Sequence, residues 1–159
     1  MDIRVGKIIE VWTHQASDQL YLEKIDVGNG DIRTVASGLQ KHIPIEDMKD
    51  RLVVVLTNLK PRAMKAVGIE SQGMVLCGQT DSKVELVDPP AGSVAGDLIS
   101  FEGQARSPPA EALNSKKFFD KVAPDMAVNS KGEACWKEVQ FKTDKGVCTV
   151  KSLKEGKVC

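Results

Sequence analysis

The sequence predicts a mostly-β chain: a small five-stranded barrel with a C-terminal extension of mixed α and β character packed on it. Three observations predict this. Apolar residues recur with a period of two in several short runs between residues 3 and 101. Turns bearing Gly, Pro and Asn separate those runs, with only one short helical stretch among them. Aromatic residues make up only 4% of the chain, so the core must be built from Val, Ile and Leu, which favour strands.

Taken in order, Ile3, Val5, Ile9 and Val11 share a parity and give a first strand, residues 4–12, one buried face. Leu20 and Leu22, then Ile25 and Val27, mark a second strand whose parity flips near Glu23-Lys24. A flip inside a strand implies a β-bulge there, which helps a sheet curl. Gly28-Asn29-Gly30-Asp31 is a tight turn between antiparallel strands, and Ile32–Ser37 follows as the third strand. Residues 39–49 read as a short helical connection with Pro44 near its start. Residues 52–56 and 74–78 are the next strands, and residues 84–87 and 98–101, around the Pro89-Pro90 turn, complete the sheet. A five-stranded Greek-key barrel with a helix between its third and fourth strands is the oligonucleotide-binding (OB) architecture. Ser107-Pro108-Pro109 then punctuates the chain, which assigns residues 1–106 to the barrel and 107–159 to the extension, a boundary good to a few positions. Residues 110–121 allow a helical turn or two, and residues 137–151 return to strand-like alternation. The extension is too small to bury a core alone and is expected to pack on the barrel.

Composition narrows the function classes. The chain has 159 residues and a formal net charge of zero, which excludes a wholly basic polyanion binder. The average hides an asymmetry: residues 1–105 carry eleven Lys/Arg against fifteen Asp/Glu, and residues 106–159 carry eleven against seven. Local patches can still attract polyanions. Four cysteines at 77, 135, 148 and 159 lack Cys-x-x-Cys spacing, and only two histidines accompany them, so no structural metal is expected. Scattered cysteines, no signal-peptide pattern and no apolar run of membrane-spanning length suit a cytoplasmic protein. The opening Met1-Asp2-Ile3-Arg4 enters a strand at once, as the cut edge of a domain from a longer polypeptide would.

The stretch from Asn58 to Met74 carries the chemistry. Between two strand-like runs it places Lys60, Arg62 and Lys65, with no acid between Asn58 and Ile69, and then a Ser71-Gln72-Gly73 turn. Pro61 stiffens the cationic arm, which lowers the ordering cost of binding. Met64 offers an apolar surface to a base, Ser and Gln can bond base edges or ribose hydroxyls, and Gly73 permits close backbone approach. Such a loop grips phosphate and reads polar edges, whereas most charge clusters are solvated faces; the rigid, acid-free arm favours nucleic acid. His14, Ser17 and Asp18 have the residue types of a hydrolase triad but no nucleophile elbow, and Gly28-Asn29-Gly30 opens no helix with a third glycine. No catalytic residue is assigned. Lys116 and Lys117 beside Phe118-Phe119 form a secondary basic contact, or else the two Phe anchor the extension while the lysines reach outward.

With these residues assembled, the chain resembles the tRNA-binding domain typified by endothelial monocyte-activating polypeptide II, and above all the appended C-terminal domain of eukaryotic tyrosyl-tRNA synthetase. The likeness runs through Arg4-Val5-Gly6-Lys7-Ile8-Ile9, Ala16-Ser17-Asp18, Ile25-Asp26-Val27-Gly28, Arg33-Thr34-Val35-Ala36-Ser37-Gly38-Leu39, Asn58-Leu59-Lys60-Pro61, Glu70-Ser71-Gln72-Gly73-Met74 and Asp88-Pro89-Pro90-Ala91-Gly92-Ser93. The resemblance implies a non-catalytic module that grips tRNA largely by shape, whatever its amino-acid identity, beside a linked or associated aminoacyl-tRNA synthetase. It implies no cofactor. It also implies that the extension stands in for a second barrel, leaving a monomer. On this reading Lys60, Arg62, Lys65 and Arg33 contact phosphates, Ser37, Asn58, Ser71 and Gln72 contact ribose or base edges, and Met64 and Met74 give apolar contact. The alternative is a protein-interaction or cytokine-like module; the family's heptapeptide linked to that activity usually ends in Thr, where this chain has Glu10. The segment between Pro61 and Ser71 is longer than the family's usual pattern, and a bulge over residues 66–69 is expected to absorb the difference.

Overall fold

The computed structural model of the protein describes residues 1–104 and 116–159, and the side chains of 116–118 are not among the described groups. Strands β1 (Ile3–His14), β2 (Ser17–Asp26) and β3 (Ile32–Ser37) form an antiparallel meander, followed by a single helical turn α1 (Ile45–Met48) and β4 (Leu52–Leu56). A hairpin of β5 (Arg62–Met64) and β6 (Ile69–Ser71) leads to β7 (Met74–Val75), β8 (Cys77–Gln79) and β9 (Val84–Leu86). Helix α2 (Lys116–Val122) then precedes β10 (Met126–Val128), β11 (Ala134–Trp136), β12 (Val139–Gln140), β13 (Lys142–Thr143), β14 (Gly146–Val147) and β15 (Lys157–Val158). The helical connection expected over residues 39–49 is helical only in α1, because Pro44 supplies its N-cap and Asp50 adopts a left-handed φ of 59°. Residues 98–101 form isolated bridges, Arg4 to Leu98 and Ser100 to Lys142, in place of the expected strand.

The first sheet runs β3-β2-β1-β4-β7. The expected bulge exists, but on the neighbouring strand. The β1–β2 register slips between Ile8 and Glu10, so Ile9 is the extra residue and is 38% exposed while Ile8 is fully buried. The β2–β3 ladder runs without interruption from Tyr21 to Asp26. What reads as a parity flip in β2 is an inward position occupied by Glu23, fully buried between Tyr21 and Ile25. At the tight turn, Gly28 approaches Gly96 so closely that a Cβ on Gly28 would stand 2.5 Å from the Gly96 Cα, which fixes both residues as glycine.

Strand β4 explains why its sequence is apolar at every position. Val53 and Val55 point into an inner cluster with Ile8, Tyr21, Ile25, Val35, Val75 and Leu86. Val54 and Leu56 point outward, beneath Phe119, Met126, Val128, Phe141, Val150 and Val158 of the extension. Both faces of β4 are therefore covered. Ile3 and Val5 join the outer cluster, so residues from Phe119 onward pack against the first sheet.

At Leu76 the chain leaves the first sheet and enters a second, ordered β12-β11-β10-β15-β8-β9. In that sheet β15 pairs with β8 on one side and with β10 on the other, which joins barrel and extension through one continuous hydrogen-bonded array. Glu85 on β9 reinforces the join: its carboxylate accepts hydrogen bonds from Ser152 N (2.8 Å), Ser152 Oγ (2.7 Å) and Leu153 N (2.7 Å). Burial alone would push the Glu85 carboxyl up, but these donors and nearby Lys83 hold it down at about 2.

Candidate nucleic-acid interface

The β5–β6 hairpin stands out from the barrel beside β7, pairing Arg62 with Ser71, Ala63 with Glu70 and Met64 with Ile69. Its tip is a 3₁₀ turn, Lys65–Val67, closed by Gly68 at a φ of 69°. The turn falls within the segment expected to bulge, and its Val67 is buried. Between hairpin and barrel lies a cleft of about 480 Å³, lined by Ala36, Leu59, Pro61 and Ala63 together with Lys60, Arg62, Met64, Ser71, Gly73 and Met74. Met64 and Met74 are half-buried in its floor. Lys60, Arg62 and Lys65 are exposed, and none of their charged heads has a partner among the described residues. An apolar floor with free cations at its edge suits a flat base below and a phosphate chain above.

The seam beneath this cleft uses other expected contact residues for its own closure. No backbone ladder joins β3 to β7; two side chains and one backbone hydrogen bond bridge the gap instead. Gln72 Oε1 accepts from Thr34 N at 2.9 Å, Ser71 Oγ accepts from Ala36 N at 3.0 Å, and Gln72 N donates to Thr34 O at 2.8 Å. Arg33 completes the seam. Its Nη1 donates to Thr57 O (2.7 Å) and Gln72 O (3.0 Å), while Nε and Nη2 hold both Asp31 oxygens at 2.8 and 2.9 Å. The Arg33 guanidinium holds the Asp31 carboxyl below its ordinary value. Four of the five guanidinium hydrogens are thus engaged, and Arg33 reads as a strut rather than a phosphate ligand. Arg33→Lys is expected to lose about 1–3 kcal/mol of stability in urea unfolding, because an ammonium cannot span four acceptors. It should leave the salt dependence of RNA binding unchanged; a reduced dependence would return Arg33 to the phosphate contacts.

Two further expected contact residues also make bonds within the fold. Ser37 is buried and donates from Oγ to Glu23 Oε2 at 3.0 Å, which turns its hydroxyl to the interior. Asn58 is half-buried, and its Oδ1 accepts from Asp2 N at 2.8 Å, which ties the approach to the hairpin to β1. Gly73 does sit at a close backbone approach, where an added Cβ would stand 3.3 Å from Leu56 O. The side chains of Lys116 and Lys117 lie outside the described residues, so the secondary basic contact has no geometry. Leu59 and Ala63 line the cleft unforeseen; their small or apolar character between cations was the available signal. No cluster of His, Cys, Asp or Glu among the described residues could hold a metal ion.

A family model described as "Putative tRNA binding domain" matches residues 3–98. The chain belongs to this tRNA-binding domain family. Among curated relatives, the tRNA-binding domain is 48% identical to cytoplasmic tyrosine–tRNA ligase of Danio rerio and 45% identical to cytoplasmic methionine–tRNA ligase of Arabidopsis thaliana. Each match takes 99% of this chain but only 30% and 20% of those proteins, so the chain spans less than a third of their length. It is 42% identical over 96% of its length to aminoacyl tRNA synthase complex-interacting multifunctional protein 1 of Cricetulus griseus, of which it spans 42%. Among solved structures, the C-terminal domain of Plasmodium vivax p43 superposes with a TM-score of 0.91 at 33% identity, covering 99% of this chain and 96% of that one. The family that the sequence resembles is the family found.

Proposed function

We propose that this chain is a non-catalytic tRNA-binding module whose ligand crosses the cleft between the β5–β6 hairpin and the barrel. The observation that carries this reading is the pair of cations Lys60 and Arg62 lining the cleft with its Met64–Met74 floor, with Lys65 exposed on the adjoining turn and none of the three partnered among the described residues. The cations meet phosphates, the methionines meet a base, and the Gln72 amide NH₂ and the Asn58 amide remain to meet ribose or base edges. Recognition rests on phosphate spacing and fold shape, largely independent of which amino acid the tRNA carries. The first sheet with its side-chain seam acts as an OB-type barrel. The extension covers the outer face of β4, the place a second barrel would take, and keeps the module monomeric. Relatives named as cytoplasmic synthetases and as a synthetase-complex protein favour a cytoplasmic role that raises local tRNA concentration at a linked or associated active site. Strand β1 pairs with β4 over residues 3–7 and with β2 over residues 7–14, which ties most of its backbone into the sheet while the domain is folded.

Titration of folded tRNA across a salt series tests the proposal, with single-stranded RNA and duplex DNA as competitors. Arg62→Ala is expected to weaken binding across tRNA species and to lower the salt slope by ~1. Equal binding of all three nucleic acids, or an unchanged slope in Arg62→Ala, would overturn it.

A further inference from the structure

Where β15 joins the barrel, Cys159 stands directly opposite Cys77. Cys77 N donates to Cys159 O at 2.7 Å and Cys159 N donates to Cys77 O at 2.8 Å, so the two residues form a hydrogen-bonded antiparallel pair. Residues in such a pair have Cα atoms about 5.5 Å apart and side chains on the same face. That separation lies within the range a disulfide spans. Both thiols are free, as are Cys135 and Cys148. Cys77 is buried and Cys159 is exposed, with its Sγ 2.9 Å from Gln79 Oε1 on the same rim.

We infer that Cys77 and Cys159 form a redox-dependent cross-strand bond that locks the extension onto the barrel. The co-reactant is a small disulfide such as oxidised glutathione. The Cys159 thiolate attacks one of its sulfurs and releases one glutathione thiolate, leaving a mixed disulfide on Cys159. The Cys77 thiolate then attacks Cys159 Sγ and releases the second glutathione thiolate. Two protein thiols thereby lose two protons and two electrons, and oxidised glutathione becomes two reduced molecules. Cys159 has the access for the first step. Burial pushes the Cys77 thiol up to about 12, so the second step proceeds when β15, only two residues long, opens locally. The closed bond then removes that opening.

The test treats the whole chain with oxidised glutathione, maps peptides by mass spectrometry and records thermal unfolding before and after dithiothreitol. The expected result is an intramolecular Cys77–Cys159 cross-link and a Tm raised by at least about 5 °C. Both should vanish on reduction and be absent from Cys159→Ser, whose exposed position keeps the fold intact. A mixed disulfide that persists on Cys159, a covalent dimer, or a link to Cys135 or Cys148 would overturn the inference. A cross-link that leaves Tm unchanged would overturn the locking role.

Discussion

Raising the pH from about 4.5 to about 8 is expected to cost the native state roughly 3–5 kcal/mol through Glu23 alone. Glu23 lies fully buried in the barrel core, where burial pushes its carboxyl up to about 8 and the Ser37 hydroxyl offsets only part of that rise. Its Oε1 has no partner among the described residues. In the unfolded chain the same group ionises near 4.5, so across this window folding takes up a proton. The contribution is fully present below the unfolded value and is lost as pH rises through the folded one. Carboxyls that the fold holds down, such as Glu85 and Asp31, add a slope of opposite sign only at the acidic end of the window, where the unfolded chain still binds protons that the folded one does not. Glu23→Gln should therefore flatten the dependence and make the protein more stable than wild type at pH 8. Urea unfolding of both proteins at pH 5 and pH 8 checks this; parallel losses in the two proteins would place the slope elsewhere.

Phe141→Ala is expected to lose about 3–5 kcal/mol, the usual cost of emptying a filled aromatic site. Phe141 is fully buried in the cluster shared by barrel and extension, and it meets Phe101 edge-on with centroids 5.0 Å apart. The barrel's inner cluster, built from residues such as Val35, Val53 and Val75, does not include it. Hydrogen exchange in the variant should accelerate in β10 and β11 more than in β2 and β3. A loss below about 1 kcal/mol would mean that the surrounding side chains collapse into the space.

Much of the fold was legible because local and tertiary demands agreed. The Gly28–Asp31 turn, Ile32–Ser37 and Leu52–Leu56 lie where composition and parity put them, and the unbroken apolar run of β4 matches its two covered faces. The failures arise where one residue serves a distant partner. Glu23 breaks the inward pattern of β2, and pattern reasoning reads a buried acid as a bulge. The kink at Leu76 divides one apparent strand between two sheets, which periodicity cannot distinguish from a straight run. The cations at the cleft were legible from the absence of acids between Asn58 and Ile69. The pairing of Arg33 was not, although Asp31 two residues earlier carried the signal of neutralisation. The same spacing recurs in Asp2 and Arg4, which also pair, at 2.7 Å.

The placement of β15 between β8 and β10 sets an order of assembly. Lys157 and Val158 pair with Gln79 and Gly78, about half the chain away, while β1 to β4 find their partners within the first 56 residues. During synthesis the barrel meander has its partners long before this sheet can be continuous. The β8 edge must wait for residues 157–158 to emerge, and Val54 and Leu56 of β4 for the residues from 119 onward that cover them. The interval between those two events is when the nascent chain is most open to adhesion by other strands, and the shortness of β8, three residues long, limits that exposure.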